Sequence, residues 1–333
     1  NSEFIQGVTE EQWGIIEKVG EPLDCRSRVS RLTNAPVDNV VSLEDFQRDE
    51  DIIQKSLAKY SVTKLTSGDY KTTSETRVPK GKILIGEEKT RILSDDVSFA
   101  IYNKGSIGNV IVIGAQEYGV ILGANSDLYN VIIRNTGVSK KINEIGNGVD
   151  SNGLKSHGNC IVSVEVSHGY NEKGTSPLTS KGGNADGFAV RNGAHDITFI
   201  DTHAHHNSDD GYDFWKGGAK ADISNKNPTI RIFYSSSSFN GKNPLTPNGD
   251  GNGFKFGSGD NYNKSRGKDK GARLIYGSAA CHNLAIGFDR NNTSRKIISI
   301  NNHSYKNKKS FEKIFSSKQP DPYSLNCNKL LKK

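Results

Sequence analysis

Apolar residues are distributed along this chain in two different ways. Over the first 60 residues they recur every three or four positions, as in Thr9-Glu10-Glu11-Gln12-Trp13-Gly14-Ile15-Ile16 and from Ser42-Leu43-Glu44-Asp45-Phe46 to Ser56-Leu57-Ala58-Lys59. Each stretch opens on a capping residue followed by acids, which predicts helices. They are expected to cover one end of whatever follows. From about Ser61 the pattern changes to short β-branched runs broken by Gly, Asn and Ser, such as Lys82-Ile83-Leu84-Ile85-Gly86 and Asn109-Val110-Ile111-Val112-Ile113-Gly114. Those runs predict strands.

The strands then repeat. A glycine followed by an apolar residue recurs at Gly119-Val120, Gly153-Leu154, Gly187-Phe188, Gly211-Tyr212, Gly253-Phe254 and Gly287-Phe288, with spacings of 34, 34, 24, 42 and 34 residues. A second alternating strand follows most of them, for example Cys160-Ile161-Val162-Ser163-Val164 and Asp196-Ile197-Thr198-Phe199-Ile200. Most repeats close on Asn or His: Asn135, His206-Asn207, Asn240 and His282-Asn283. Several short strands per repeat, with no helix between them, indicate an all-β right-handed parallel β-helix, a solenoid whose equivalent residues stack in columns about 4.8 Å apart. The expected organisation is a helical N-terminal cap over residues 1–60, the β-helix over 61–315 and a C-terminal tail over 316–333.

Composition agrees with a thin, extended core. Only 33% of the 333 residues are apolar and 35 are glycine, which disfavours long helices packed around one centre. Mean hydropathy is −0.61, and no apolar window of about 18 residues exists to span a membrane. The net charge of +7 suggests an anionic partner, although a merely solvated basic face would give the same figure. Nucleic acid is disfavoured because the basic residues follow no recognition motif. Methionine is absent even at position 1, so a processed or trimmed form is expected, and Asn1–Gly20 lacks a signal-peptide pattern. The four cysteines, Cys25, Cys160, Cys281 and Cys327, have no CxxC spacing, and pairing of Cys25 with Cys327 stays open.

Aligning the repeats on their glycines makes two columns readable. One residue before the glycine stand Asn152, Asp186, Asp210, Asn252 and Ile286; two residues after it stand Lys155, Ala189, Asp213, Lys255 and Asp289. Asp209 joins them. Four carboxylates, Asp186, Asp209, Asp210 and Asp213, thereby fall within two successive coils, and such repulsion is relieved by a hard dication. Oxygen-only ligands favour Ca²⁺ over zinc, with solvated turn aspartates as the alternative. Lys255 alternates with Phe254 and Phe256, so it faces outward, either as a counter-charge to Asp213 or as a base whose pKa a neighbouring cation lowers.

The segments Gly183-Asn184-Ala185-Asp186-Gly187-Phe188, Asn207-Ser208-Asp209-Asp210-Gly211-Tyr212-Asp213-Phe214-Trp215, Gly251-Asn252-Gly253-Phe254-Lys255-Phe256-Gly257 and Gly287-Phe288-Asp289 resemble the successive motifs of polysaccharide lyase family 9. These are pectate-lyase-type enzymes on a right-handed parallel β-helix, and the similarity runs over roughly residues 109–307. The resemblance implies that Asp186, Asp209, Asp210 and Asp213 hold a catalytic Ca²⁺ and that Lys255 is the Brønsted base. It further implies β-elimination on an anionic, uronate-containing polysaccharide, with polygalacturonate the first expectation. The helical start and the insertions Asn171–Lys181, Lys216–Pro228 and Asp260–Lys270 depart from the family pattern and leave the polymer open.

Arg290, Lys216 and Arg191, with the Lys264/Arg266/Lys268 loop, are the cations expected to grip substrate carboxylates. A secreted or periplasmic location and a monomeric state are also expected. The competing readings are a β-helix glycoside hydrolase, which would need a Gly-His-Gly and an Arg-x-Lys beyond its Asp-Asp pair, and a non-catalytic glycan-binding or adhesin-type β-helix.

Overall fold

A computed structural model describes residues 7–137, 146–170, 183–215, 228–241, 249–257, 271–291, 293 and 295–330. Its strands stack in parallel into a right-handed β-helix. A 16-stranded sheet contains a path of strands from Asn39–Val41 through Ser106–Gly114, Asp127–Arg134, His157–Ser167, His195–Ile200, Pro228–Phe233 and Ala272–Tyr276 to Ile297–Ile300. Four shorter strands, His203–His205, Ser236–Ser238, Ala279–Cys281 and His303–Tyr305, continue it around a corner. A nine-stranded sheet forms the opposite wall, running Thr76–Val78, Phe99–Asn103, Tyr118–Leu122, Asn147–Asn152, Phe188–Arg191, Tyr212–Asp213, Phe254–Lys255, Ile286–Asp289 and Lys309–Glu312.

The core is a set of columns. Phe188, Tyr212, Phe254, Phe288 and Phe311 stack face to face inside the second wall, with centroid separations of 4.8, 4.5, 5.1 and 4.8 Å. Burying each ring stabilises the solenoid by roughly 2–3 kcal/mol. The asparagine column forms as the sequence predicts. The backbone N–H and Nδ2 of Asn207 donate to Asn240 Oδ1 at 3.1 and 3.0 Å, Asn240 repeats this on Asn283, and Asn283 on Asn307. Asn135 belongs to the neighbouring column: like His168, His206, Phe239 and His282 it has left-handed backbone, with φ between 56° and 59°.

The helices differ from expectation in place. The N-terminal segment forms α1 (Glu10–Val19), α2 (Cys25–Asn34), α3 (Leu43–Arg48) and α4 (Ile52–Lys59), with capping boxes at Thr9 and Ser42. Only α3 and α4 cover the end of the solenoid, inserting Phe46, Ile53 and Leu57 against Leu65 and Tyr70. The side of the larger sheet receives α1 and α2, where Trp13, Ile16 and Cys25 pack on Cys160, Val162, Ile200 and Phe233. The reason lies in Cys160-Ile161-Val162, which is apolar on both faces and so needs cover outside as well as within. Two disulfides fix these attachments. Cys25–Cys160 ties α2 to the sheet and Cys281–Cys327 ties α5 (Cys327–Leu330) to the corner, so Cys25 does not pair with Cys327.

Candidate functional site

The strand register corrects one rung of the sequence alignment. Val149 pairs with Phe188 and Val120, so the glycine in the column is Gly148 and not Gly153. The two glycines exist for different reasons. A Cβ at Gly148 would lie 2.0 Å from Val166 Cγ1, and one at Gly211 would lie 1.9 Å from Ser237 Oγ, so this column demands close approach. Gly153 has φ +78° with open space around it, a turn requirement that imitates the column in sequence. Asn152 and Lys155 are exposed and drop out. Asn147 and Asp150 take their places.

With that register, the position before the glycine is a hydrogen-bonded ladder. Asn147 Oδ1 accepts from the backbone N–H of Asp186 (3.0 Å), Asp186 Oδ1 from that of Asp210 (3.1 Å), Asp210 Oδ1 from that of Asn252 (2.7 Å), and Asn252 Oδ1 from that of Ile286 (3.1 Å). Each side chain is fixed through one oxygen. The second oxygen of Asp186 and of Asp210 is left to the site. Asp209 is fixed through both oxygens, accepting from the backbone N–H of Asn184 and of Asp250, each at 2.6 Å.

The position after the glycine supplies Asp213 and Lys255 as cross-strand neighbours, with Asp289 next. Phe254 and Phe256 are fully buried on the inside, which turns Lys255 outward into the carboxylates. Its Nζ lies 2.9 Å from Asp210 Oδ2, 2.9 Å from Asp250 Oδ2 and 3.9 Å from Asp213 Oδ2. Asp250 escapes the sequence reading because it stands three residues before Gly253, outside both columns; its signal is Gly249-Asp250-Gly251, directly ahead of the Asn252-Gly253 rung.

The electrostatics are those of a crowded anionic cage. Burial and the neighbouring aspartates hold Asp186 and Asp209 well above the usual carboxylate range. Burial lifts Asp210 as well, and it lifts Asp213 to about 6 although Lys255 pulls the other way. Burial opposes charge on Lys255, yet Asp210, Asp213, Asp209 and Asp250 outweigh it and raise the amine well above its ordinary value. Oxygens of Asp186, Asp210 and Asp213 lie within 4.8 Å of one another. Asp213 Oδ1 is buried with no hydrogen-bond partner among the described residues. An all-oxygen cage with a buried oxygen to spare fits a hard dication.

Of the expected substrate cations, the two that are described, Arg191 and Arg290, are held by partners of their own. Arg191 is buried and forms an ion pair with Asp150, its Nη2 2.8 Å from Oδ1, and it also reaches Tyr118 Oη at 3.3 Å. Arg290 donates to the backbone carbonyls of Lys313, Thr293 and Arg295 at 3.0–3.1 Å. Lys216, the Lys264/Arg266/Lys268 loop and the insertions, apart from Pro228, lie outside the described residues.

Comparisons with known proteins agree with this architecture. Residues 67–321 match the family described as "Pel9A-like, right handed beta helix region". Pectate lyase L of Dickeya dadantii (strain 3937) is 29% identical over 191 residues, 56% of this chain and 37% of that protein. Pectate lyase L of Dickeya chrysanthemi is 32% identical over 177 residues, 52% of this chain and 34% of that protein. The chain therefore spans only about a third of the length of these relatives. Among solved structures, that of pectate lyase Pel9A superposes with a TM-score of 0.65 at 20% identity, covering 88% of this chain and 75% of the other. A rhamnogalacturonan lyase gives 0.51 at 18% identity, covering 80% of each. At such identities the structural likeness speaks for the fold.

Proposed function

The chain belongs to the Pel9A-like right-handed β-helix family, and from that premise we propose that it is a polysaccharide lyase. It cleaves an acidic, uronate-containing polymer, polygalacturonate first, by anti β-elimination. The observation that carries this reading is a single lysine, Lys255, held among Asp210, Asp213 and Asp250 with Asp186 and Asp209 beside them. An ammonium surrounded by so many acids makes a poor base. The same acids make a strong dication site.

Asp186, Asp209, Asp210 and Asp213 are the residues that would hold Ca²⁺. When bound, the ion neutralises the uronate C6 carboxylate and offsets the field of the aspartates at Lys255. Lys255, as the neutral amine, then takes the C5 proton. The developing charge passes into the C6 carboxylate, the C4=C5 double bond forms as the C4–O glycosidic bond breaks, and the departing oxygen takes its proton from water, leaving an unsaturated sugar. Rigidity supports this role: Lys255 is confined by the buried rings on either side of it, and both aspartates of the ladder are locked through Oδ1, which leaves their Oδ2 atoms to the site. General-base catalysis contributes roughly 10²–10⁴-fold. Two disulfides support a secreted or periplasmic setting.

The experiment is absorbance near 235 nm on a panel of uronate polymers, with Ca²⁺ and with chelator. Calcium-dependent absorbance, lost by about 10²-fold or more in Lys255→Ala with the fold retained, is the expected result. Reducing ends without that absorbance would indicate a hydrolase, and polymer binding without turnover would indicate an adhesin.

A further inference from the structure

Around the corner from the aspartate cage, at the end of strand His203–His205, two consecutive histidines turn their rings toward each other. Neighbouring residues of a strand ordinarily point to opposite faces. His206 breaks that alternation because its backbone is left-handed, φ 56°. The Nδ1 atoms of His205 and His206 consequently lie only 2.8 Å apart. Two imidazole nitrogens at that distance either share a proton or share a cation.

The surroundings favour the cation. His205 Nε2 lies 3.5 Å from Glu165 Oε1, and Arg134 holds the same carboxylate oxygen at 3.1 Å. A carboxylate facing the remote nitrogen is the usual support of a metal-bound histidine, since it fixes the ring and the tautomer. The His206 ring is clamped from both sides, stacked on His168 at 5.3 Å with an interplanar angle of 3° and on Phe239 at 5.1 Å with 16°.

We propose that His205 and His206 form a second metal site, taking a borderline divalent transition ion of the Zn²⁺ class through their Nδ1 atoms, with Glu165 as the supporting carboxylate. Imidazole selects this class over Ca²⁺, which the aspartate cage would prefer. Two nitrogens on tetrahedral zinc stand about 3.3 Å apart, given bonds of about 2.0–2.1 Å, so the rings need to open by only a few tenths of an ångström. Coordination positions beyond the two imidazoles are open to water. The ion would staple the turn that runs directly into Asn207, Asp209 and Asp210.

The test is calorimetric titration of the full chain with Zn²⁺ in saturating Ca²⁺, which occupies the aspartate cage beforehand. One Zn²⁺ per chain is expected, with affinity reduced about 100-fold in His206→Ala and about 10-fold in Glu165→Gln. Circular dichroism checks that both variants keep the fold. Absence of Zn²⁺ uptake in saturating Ca²⁺, or equal affinity in His206→Ala, overturns the site. If His206→Ala folds poorly, Glu165→Gln decides, because it leaves both imidazoles in place: weaker Zn²⁺ binding supports the site and unchanged binding overturns it.

Discussion

Stripping the cation from the aspartate cage should make the protein less stable as the solution becomes more alkaline, and Asp213 shows by how much. Its folded pKa is about 6, whereas an unfolded aspartate titrates near 3.9. Because the folded value is the higher one, the native state binds the extra proton between those limits. Stability therefore falls as pH rises from about 4 to about 6, and the full penalty applies above 6. Roughly two pH units correspond to about 3 kcal/mol. Asp213 is nearly buried, so solvent screening reduces this little. About 2 kcal/mol of this falls between pH 4.5 and pH 7, so at about 2 °C per kcal/mol for a large domain the chelated protein should melt roughly 4 °C lower at pH 7 than at pH 4.5 from this residue alone. Asp186 and Asp209 add in the same direction. The assay is thermal melting across that range in chelator and in Ca²⁺, for the wild type and Asp213→Asn. The substitution should flatten the chelator profile, and Ca²⁺ should raise the wild-type melting temperature most at the upper end. Parallel profiles for the two proteins in chelator, or no response to Ca²⁺, would refute the assignment.

Asn240→Ala removes a double acceptor and a double donor from a buried ladder, and should cost roughly 3 kcal/mol in urea denaturation without changing the strand content by circular dichroism. Replacing Cys25 and Cys160 together by Ser opens a cross-link between residues 135 apart, and should lower stability by about 2–4 kcal/mol; a reductant that leaves the melting temperature unmoved would contradict this. Asp150→Ala leaves the buried Arg191 guanidinium without its carboxylate, a loss of about 3–5 kcal/mol that the double variant with Arg191→Met should largely recover.

The parallel solenoid is legible in the sequence because a column of glycines under steric pressure repeats once per coil. Asp186, Asp210, Asp213 and Lys255 can be placed from that column since the chain keeps its phase from Gly187 onward. Asp150 and Asn147 are hidden by Gly153, a glycine required by a positive φ five residues after the one required by packing. Sequence spacing alone does not separate those two causes. Asp250 is hidden for a different reason: it approaches Lys255 from a loop, where no periodicity reports direction. Helix α2 carries few apolar residues, and its docking depends on Cys25 meeting a strand 135 residues away, a contact that no local pattern encodes.

The inner ring column uncouples site geometry from loop length. Phe188, Tyr212 and Phe254 hold neighbouring coils 4.8 and 4.5 Å apart at the rings, although 24 residues separate the first pair and 42 the second. Spacing within the wall is thus independent of how much chain lies between rungs. The intervening segments can therefore change in length while the aspartates and the lysine stay at distances set by stacked rings. Loop length and site geometry are thus carried by separate stretches of the chain, and either can change without the other.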